Sequence, residues 1–184
     1  MIGLPIPLLP VHILWINLVT DGLPALALAA EATEKDTMTR PPRHPDESVF
    51  AKGLGIHVLW VGIFIGVLTV ATQWFAIKAS DTHWQTMVFT VLCFSQLWHV
   101  MAIRSETRSL FKLGLLSNKP LLFAVLGTVL LQLAVIYIPF LNTFFHTQPL
   151  TLAELLIVTG VSAMVFLVVE MEKSVKRAVS KSIK

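Results

Sequence analysis

The sequence predicts an all-α fold, an integral membrane bundle of about five transmembrane helices. Composition is the first reason. The chain has 184 residues, 55% of them hydrophobic and 14% charged, with a mean hydropathy of +0.75. A soluble domain carries about a quarter charged residues. Spacing is the second. Apolar stretches long enough for one helical crossing, roughly 20 residues, recur at about 4–30, 53–77, 84–103, 120–141 and 150–170. They leave no room for a separate soluble domain. Charge placement is the third. Lys35, Arg40, Arg43 and Lys52 follow the first stretch; Arg104, Arg108, Lys112 and Lys119 follow the third. Lys173, Lys176, Arg177, Lys181 and Lys184 lie in the tail, while the two other connections hold only Lys78.

Basic connections stay in the cytoplasm. Segments 31–52, 104–119 and 171–184 are therefore expected on the cytoplasmic side, C-terminus included. Five crossings then place the N-terminal side outside, although nothing basic precedes the first stretch to help it insert that way. Earlier spans are expected upstream, which makes this the C-terminal part of a longer protein. No cleavable signal peptide is expected, because the first residues carry no basic region and run into a full span. The net charge of +3 follows from this topology and implies no nucleic-acid partner. The single cysteine, Cys93, excludes an intrachain disulfide and a thiolate metal cluster and reads as a small buried residue.

The first stretch holds the polar residues that matter most. Its centre reads NLVTDGLP, Asn17 to Pro24. Asn17, Thr20 and Asp21 stand at i, i+3 and i+4, which on an α-helix gives one shared face. Asp21 is the only acidic residue deep inside a span, and an ionisable group at that depth is a functional-site hypothesis by default. Pro24 cannot donate to the carbonyl of Thr20, and Gly22 permits local unwinding. Freed carbonyls in interrupted helices coordinate cations in transporters. The turn thus offers a carboxylate, an amide oxygen, a hydroxyl and backbone oxygens, all hard ligands suited to calcium or manganese. The plain alternative is a polar patch that hydrogen-bonds neighbouring helices. One helix cannot complete the six or more ligands calcium takes, so other helices must contribute.

The second stretch carries Gly62 and Gly66, a spacing that reads as close helix packing. Trp74 and Trp84 suit an outer aromatic belt. In the third, His99 reads as a hydrogen-bonding contact between helices. In the fourth, Gln132 is expected to bond a neighbouring helix, and Pro139 to mark a kink or stop. The tail places Val175, Val179 and Ile183 at i+4 spacing among basic residues. That pattern suits either the inner leaflet surface or a plain solubilising end.

The stretch LPVHILWINLVTDGLPALALA, followed by DTMTRPPRHPDE, resembles the sixth transmembrane helix and following cytoplasmic loop of P-type cation-transporting ATPases of the calcium-pump branch. The remaining stretches are similar to that family's last four helices in order, loop side and length, so the resemblance covers essentially the whole chain. It implies that Asn17 and Asp21, with Thr20 in a lesser role, are ligands of the transported cation. It implies that the loop MTRPPR couples ATP hydrolysis to the membrane helices. In the third stretch, TVLCFSQLWHVMAI resembles the eighth helix. Gln96 there takes the position of a ligand Glu in the two-site pumps, which implies a weak ligand and one principal site.

The chain has neither an Asp-Lys-Thr-Gly-Thr phosphorylation sequence nor a Gly-rich phosphate loop. ATP and Mg2+ are therefore expected to act only through upstream domains of the same pump. Those domains, the upstream helices and the lipid bilayer are the partners implied. The expected function is the membrane part of an ATP-driven transporter of Ca2+, with Mn2+ also compatible, in the plasma membrane. A free-standing, non-enzymatic membrane protein is the competing reading. It would form a passive cation pathway or regulate a partner, and would have no evident need for a coupling loop.

Overall fold

Long apolar runs with few helix breakers fold here into helices, and among the described residues there is no strand. The computed structural model describes residues 5–29, 54–104 and 117–182. The all-α expectation holds. The first stretch forms α1 (Pro10–Trp15), a widened π-helical turn (Ile16–Asp21) and α2 (Gly22–Ala29) in one continuous rod. Then come α3 (Leu54–Lys78), α4 (Trp84–Ala102), α5 (Lys119–Tyr137), the short α6 (Pro139–Phe145) and α7 (Leu152–Ser182). The loop MTRPPR, residues 38–43, lies outside the described residues.

Four of these rods are long and apolar enough to cross a membrane: Pro10–Ala29, Leu54–Lys78, Lys119–Tyr137 and Leu152–Ala178. The chain is thus a multi-pass membrane protein. The remaining rod, α4, has 19 residues but carries Thr86, Thr90, Ser95, Gln96 and His99 along its length. Its place in the bundle accounts for that. α4 packs against α2, α3, α5, α7 and the π-helical turn, and Val88, Phe89, Val91 and Cys93 on it are fully buried. A helix surrounded by protein can satisfy polar side chains that lipid could not. Thr90, for example, donates to the Thr86 carbonyl at 2.7 Å, and Thr86 accepts from the Gln148 backbone at 2.9 Å.

Two breaks follow directly from sequence chemistry. Pro139 has no N–H, so α5 stops at Tyr137 and α6 restarts with Pro139 at its head. The carbonyls left without helical partners are taken up by side chains. Asn142 donates to Val135 O and Ile136 O at 2.8 Å each, and Thr147 donates to Val135 O at 2.6 Å. α7, by contrast, meets no breaker and runs 31 residues to Ser182, about 46 Å at 1.5 Å per residue. That exceeds the roughly 30 Å hydrocarbon layer, so part of the basic tail is a continuation of the last helix. Glu170–Lys173 (3.0 Å) and Glu172–Lys176 (2.5 Å) pairs support those turns, and cations near a helix C-terminus suit its dipole.

Cross-links show the rods alternating in direction. At one end, Asn118 donates to Ala27 O at 3.4 Å, and His57 of α3 meets His99 of α4 (3.3 Å) and Glu172 of α7 (2.7 Å). Lys173 there donates to Ala102 O, capping α4. At the other end, Gln73 donates to Pro5 O at 2.7 Å, and His83 contacts Glu154 at 3.0 Å. His12, fully buried, stitches α1 to α6 there. Its Nδ1 accepts from the Leu9 backbone at 3.2 Å, so Nε2 carries the proton and donates to Phe145 O at 2.7 Å. Its ring also stacks on Phe89 with centroids 4.3 Å apart. Asn118 and the described residues Ala29, Leu54, Arg104 and Ser117 lie at the end that carries the tail.

Gly62 and Gly66 depart from expectation. A Cβ built on either meets nothing within 4 Å, and both lie on an outward face of α3. Ile63, Val67, Val70 and Phe75 on that face are all exposed. Among the described residues no close packing uses the glycine pair. Gln132 and His99 do bond neighbouring helices: Trp15 donates to Gln132 Oε1 at 2.9 Å, and His99 pairs with His57.

Candidate cation site

The site is built on one widened helical turn. Over Ile16–Asp21 the backbone adopts π-helical hydrogen bonding, which closes i→i+5 rather than i→i+4 and inserts a bulge into an otherwise α-helical rod. Such bulges are frequent at functional sites. Pro24 lies in the first turn of α2 and is buried. Its missing N–H is the donor that Thr20 O would use in an α register, and the ladder changes register at this point. Gly22 itself is right-handed, φ −64° and ψ −51°. A Cβ there would meet Asn17 O at 3.5 Å, an ordinary contact. The unwinding therefore sits one turn before the glycine and needs no unusual glycine conformation.

Widening the turn rotates the side chains relative to one another. Asn17 and Asp21 remain exposed on one side, whereas Thr20 is 2% exposed and points into the bundle. The single face expected for all three from α-helical spacing is thus divided. The physical reason is the longer hydrogen-bond loop, which moves i+3 away from i while i+4 stays near it.

α4 packs against this turn. The fully buried Cys93 lies beside the Thr20 hydroxyl, with Asp21 close enough to act on the thiol electrostatically. Gln96 stands one turn further along the same face of α4 as Cys93. Its Oε1 is buried without a hydrogen-bond partner, and the same holds for Thr20 Oγ1 and Ser95 Oγ. A buried polar atom left so costs about 1–3 kcal/mol. Among the described residues none of Asn17, Thr20, Asp21 and Gln96 makes a side-chain hydrogen bond to nitrogen or oxygen. The fold sets the Thr20 hydroxyl beside Cys93. It places Gln96 on the adjoining helix, and it turns Asn17 and Asp21 outward. The arrangement offers hard oxygen donors that the chain itself does not satisfy. Cys93 read in the sequence only as a small buried residue; its contact with the polar turn depends on how α4 docks.

Comparison with known proteins gives the kinship. Residues 5–175 match the family model for the C-terminus of cation transporting ATPases. A calcium-transporting ATPase of Bacillus subtilis is 45% identical over 166 residues, covering 89% of this chain and 18% of that protein. The human calcium-transporting ATPase type 2C member 1 is 36% identical over 183 residues, covering 97% of this chain and 20% of that protein. Calcium-transporting ATPase 1 of Bacillus cereus is 39% identical over 172 residues, covering 84% and 19%. The chain thus spans about a fifth of the length of these relatives. By the match along residues 5–175 and the helical membrane architecture built around the polar turn, the chain belongs to the C-terminal region of the P-type cation-transporting ATPases.

Proposed function

We propose that this chain is the membrane part of an ATP-driven Ca2+ transporter and supplies half of the transport site. The observation that carries the reading is the set of unsatisfied oxygen donors at the π-helical turn and the facing side of α4. The names of the relatives, all calcium-transporting ATPases, support the choice of ion. Asn17 and Asp21 supply an amide oxygen and a carboxylate on a face open to further helices. Thr20 and Gln96 act as lesser ligands from the side of the bundle. Calcium takes six to eight oxygens, more than this chain offers, so the rest come from helices upstream in the same pump. Mn2+ accepts the same donors.

ATP and Mg2+ act on domains outside this chain. The segment MTRPPR lies between the site-bearing helix and α3, where a contact with those domains would pass their movement to Asp21. The cation leaves the cytoplasm as the carboxylate changes between bound and released states. The pump resides in the plasma membrane with the tail in the cytoplasm.

The test is Asp21→Asn in the full-length pump. Ca2+-stimulated phosphorylation from ATP falls at least about 100-fold, because losing one charged ligand from a site closed over by the upstream helices costs several kcal/mol. Phosphorylation that still rises normally with Ca2+ would remove Asp21 from the site.

A further inference from the structure

At the end of the bundle away from the tail, three side chains from two separate segments converge. Asp81 and His83 come from the turn between α3 and α4, and Glu154 from the first turn of α7. One ligand atom from each lies within 4.8 Å of the other two. His83 Nδ1 is 3.0 Å from Glu154 Oε1 and 3.8 Å from Asp81 Oδ1. All three are partly buried, with side-chain exposures of 21% for Asp81, 28% for His83 and 15% for Glu154. We infer that Asp81, His83 and Glu154 form a binding site for a divalent transition-metal ion of the Zn2+ type, separate from the polar turn of the first rod.

The charge balance points to a metal. Two carboxylates face a single ring nitrogen. One proton on Nδ1 can be donated well to only one of them, and Glu154 has the shorter distance. The Asp81 carboxylate is left at 3.8 Å beside a second negative group. A dication at the centre answers both. The distances suit it too. Ligands about 2.0–2.2 Å from a tetrahedral ion lie about 3.3–3.6 Å from one another, which the two observed separations bracket.

The carboxylates are also oriented from behind. Asp81 Oδ1 accepts the His83 backbone N–H at 2.7 Å, and Glu154 Oε2 accepts the Thr151 backbone N–H at 2.6 Å. Such outer contacts fix ligand direction in metal sites. One imidazole with two carboxylates, plus water in a fourth position, is a zinc-like donor set. Calcium would require more oxygens and no imidazole, and among first-row divalent ions manganese binds more weakly to such a set. The bound ion joins the α3–α4 turn to the head of α7. Because those segments are 71 residues apart in sequence, the ion acts as a clasp across that end of the bundle. Nothing in this proposal depends on the transport reading.

The experiment uses the untagged chain in lipid nanodiscs near neutral pH, with Zn2+ followed by equilibrium dialysis and Co2+ by its visible absorption. The wild type binds one Zn2+ and gives the visible bands of a four-coordinate Co2+ site. Asp81→Asn, His83→Ala and Glu154→Gln each weaken Zn2+ at least about 10-fold and remove the Co2+ bands. Two controls separate ligation from folding and from the transport site. Tyr137→Phe, which removes the bond to Leu150 O just ahead of α7 and touches none of the three ligands, keeps binding within about twofold, and Asp21→Asn leaves it unchanged. Absence of stoichiometric binding to the wild type, or equal binding by the three ligand variants, overturns the proposal. Equal loss in Tyr137→Phe does so as well, because it would make the effect one of folding.

Discussion

Thr20 shows what one residue can carry here. Its hydroxyl is buried, and its oxygen has no partner beyond the neighbouring Cys93 thiol, a weak donor. Replacing it with the isosteric valine removes a desolvated oxygen at no packing cost, which is neutral or stabilising. In the chain alone, Thr20→Val is expected to leave the thermal midpoint in detergent unchanged or raise it. A fall of several degrees would mean that the hydroxyl has a structural partner. His12 is the opposite case, since both ring nitrogens are engaged and the ring stacks on Phe89. His12→Ala leaves the Phe145 carbonyl without its donor and opens a cavity against Phe89. A loss of about 2–4 kcal/mol follows, and it is read as a lower unfolding midpoint in the same assay. The sequence allowed Asn17, Thr20 and Asp21 to be picked out, because polar groups stand out in an apolar run. It did not allow their division between two faces, because α-helical spacing assumes a ladder that the π-helical turn does not keep. His12 was passed over for a related reason: its partners Phe89 and Phe145 are distant in the chain and identifiable only after packing.

At the scale of elements, apolar length is a dependable signal and pair spacing is a weaker one. Apolar length marks five stretches in the sequence, and four of the rods they form are long and apolar enough to cross a membrane by that measure alone. α4 needs its surroundings to be understood, since its polar side chains are tolerable only at the centre of the bundle. Gly62 and Gly66 make the weaker signal plain. Their spacing suggests a close helix contact, yet no atom stands within 4 Å of a Cβ built at either position. Glycine in a helix interior costs about 1 kcal/mol relative to alanine. Gly62→Ala and Gly66→Ala in this chain are each expected to raise its stability by roughly 0.5–1 kcal/mol, measured by denaturant or thermal unfolding in detergent. Destabilisation by either would mean that α3 packs this face against another part of the chain. Pro139 was legible as a break. The repair by Asn142 and Thr147 was not, because any nearby polar side chain could have met those carbonyls.

For the whole molecule the decisive property is alternation. His57, His99, Glu172 and Asn118 mark one end, and Asp81, His83, Glu154 and His12 the other. All five rods therefore run from one end of the bundle to the other, α4 among them despite its polarity. Among the described residues, Arg104, Lys119, Lys173, Lys176 and Arg177 lie at the first of these ends. Attraction of Lys and Arg to the cytoplasmic side then predicts that this end of the bundle faces the cytoplasm. Chemistry offers a direct test, because Cys93 is the only cysteine and is fully buried. It leaves a silent background for thiol labelling. Ala79 and Ala178 are both exposed, at opposite ends of the bundle. In intact cells, a membrane-impermeant maleimide is expected to label Ala79→Cys in the full-length protein, its cysteines upstream of this chain replaced by serine, and to leave Ala178→Cys unlabelled until the membrane is opened. The reverse pattern would invert the topology. It would place the zinc-type site in the cytoplasm and the basic tail outside. Labelling of both from one side would mean that an odd number of rods fails to cross between them, and α4, the most polar, would be the first suspect.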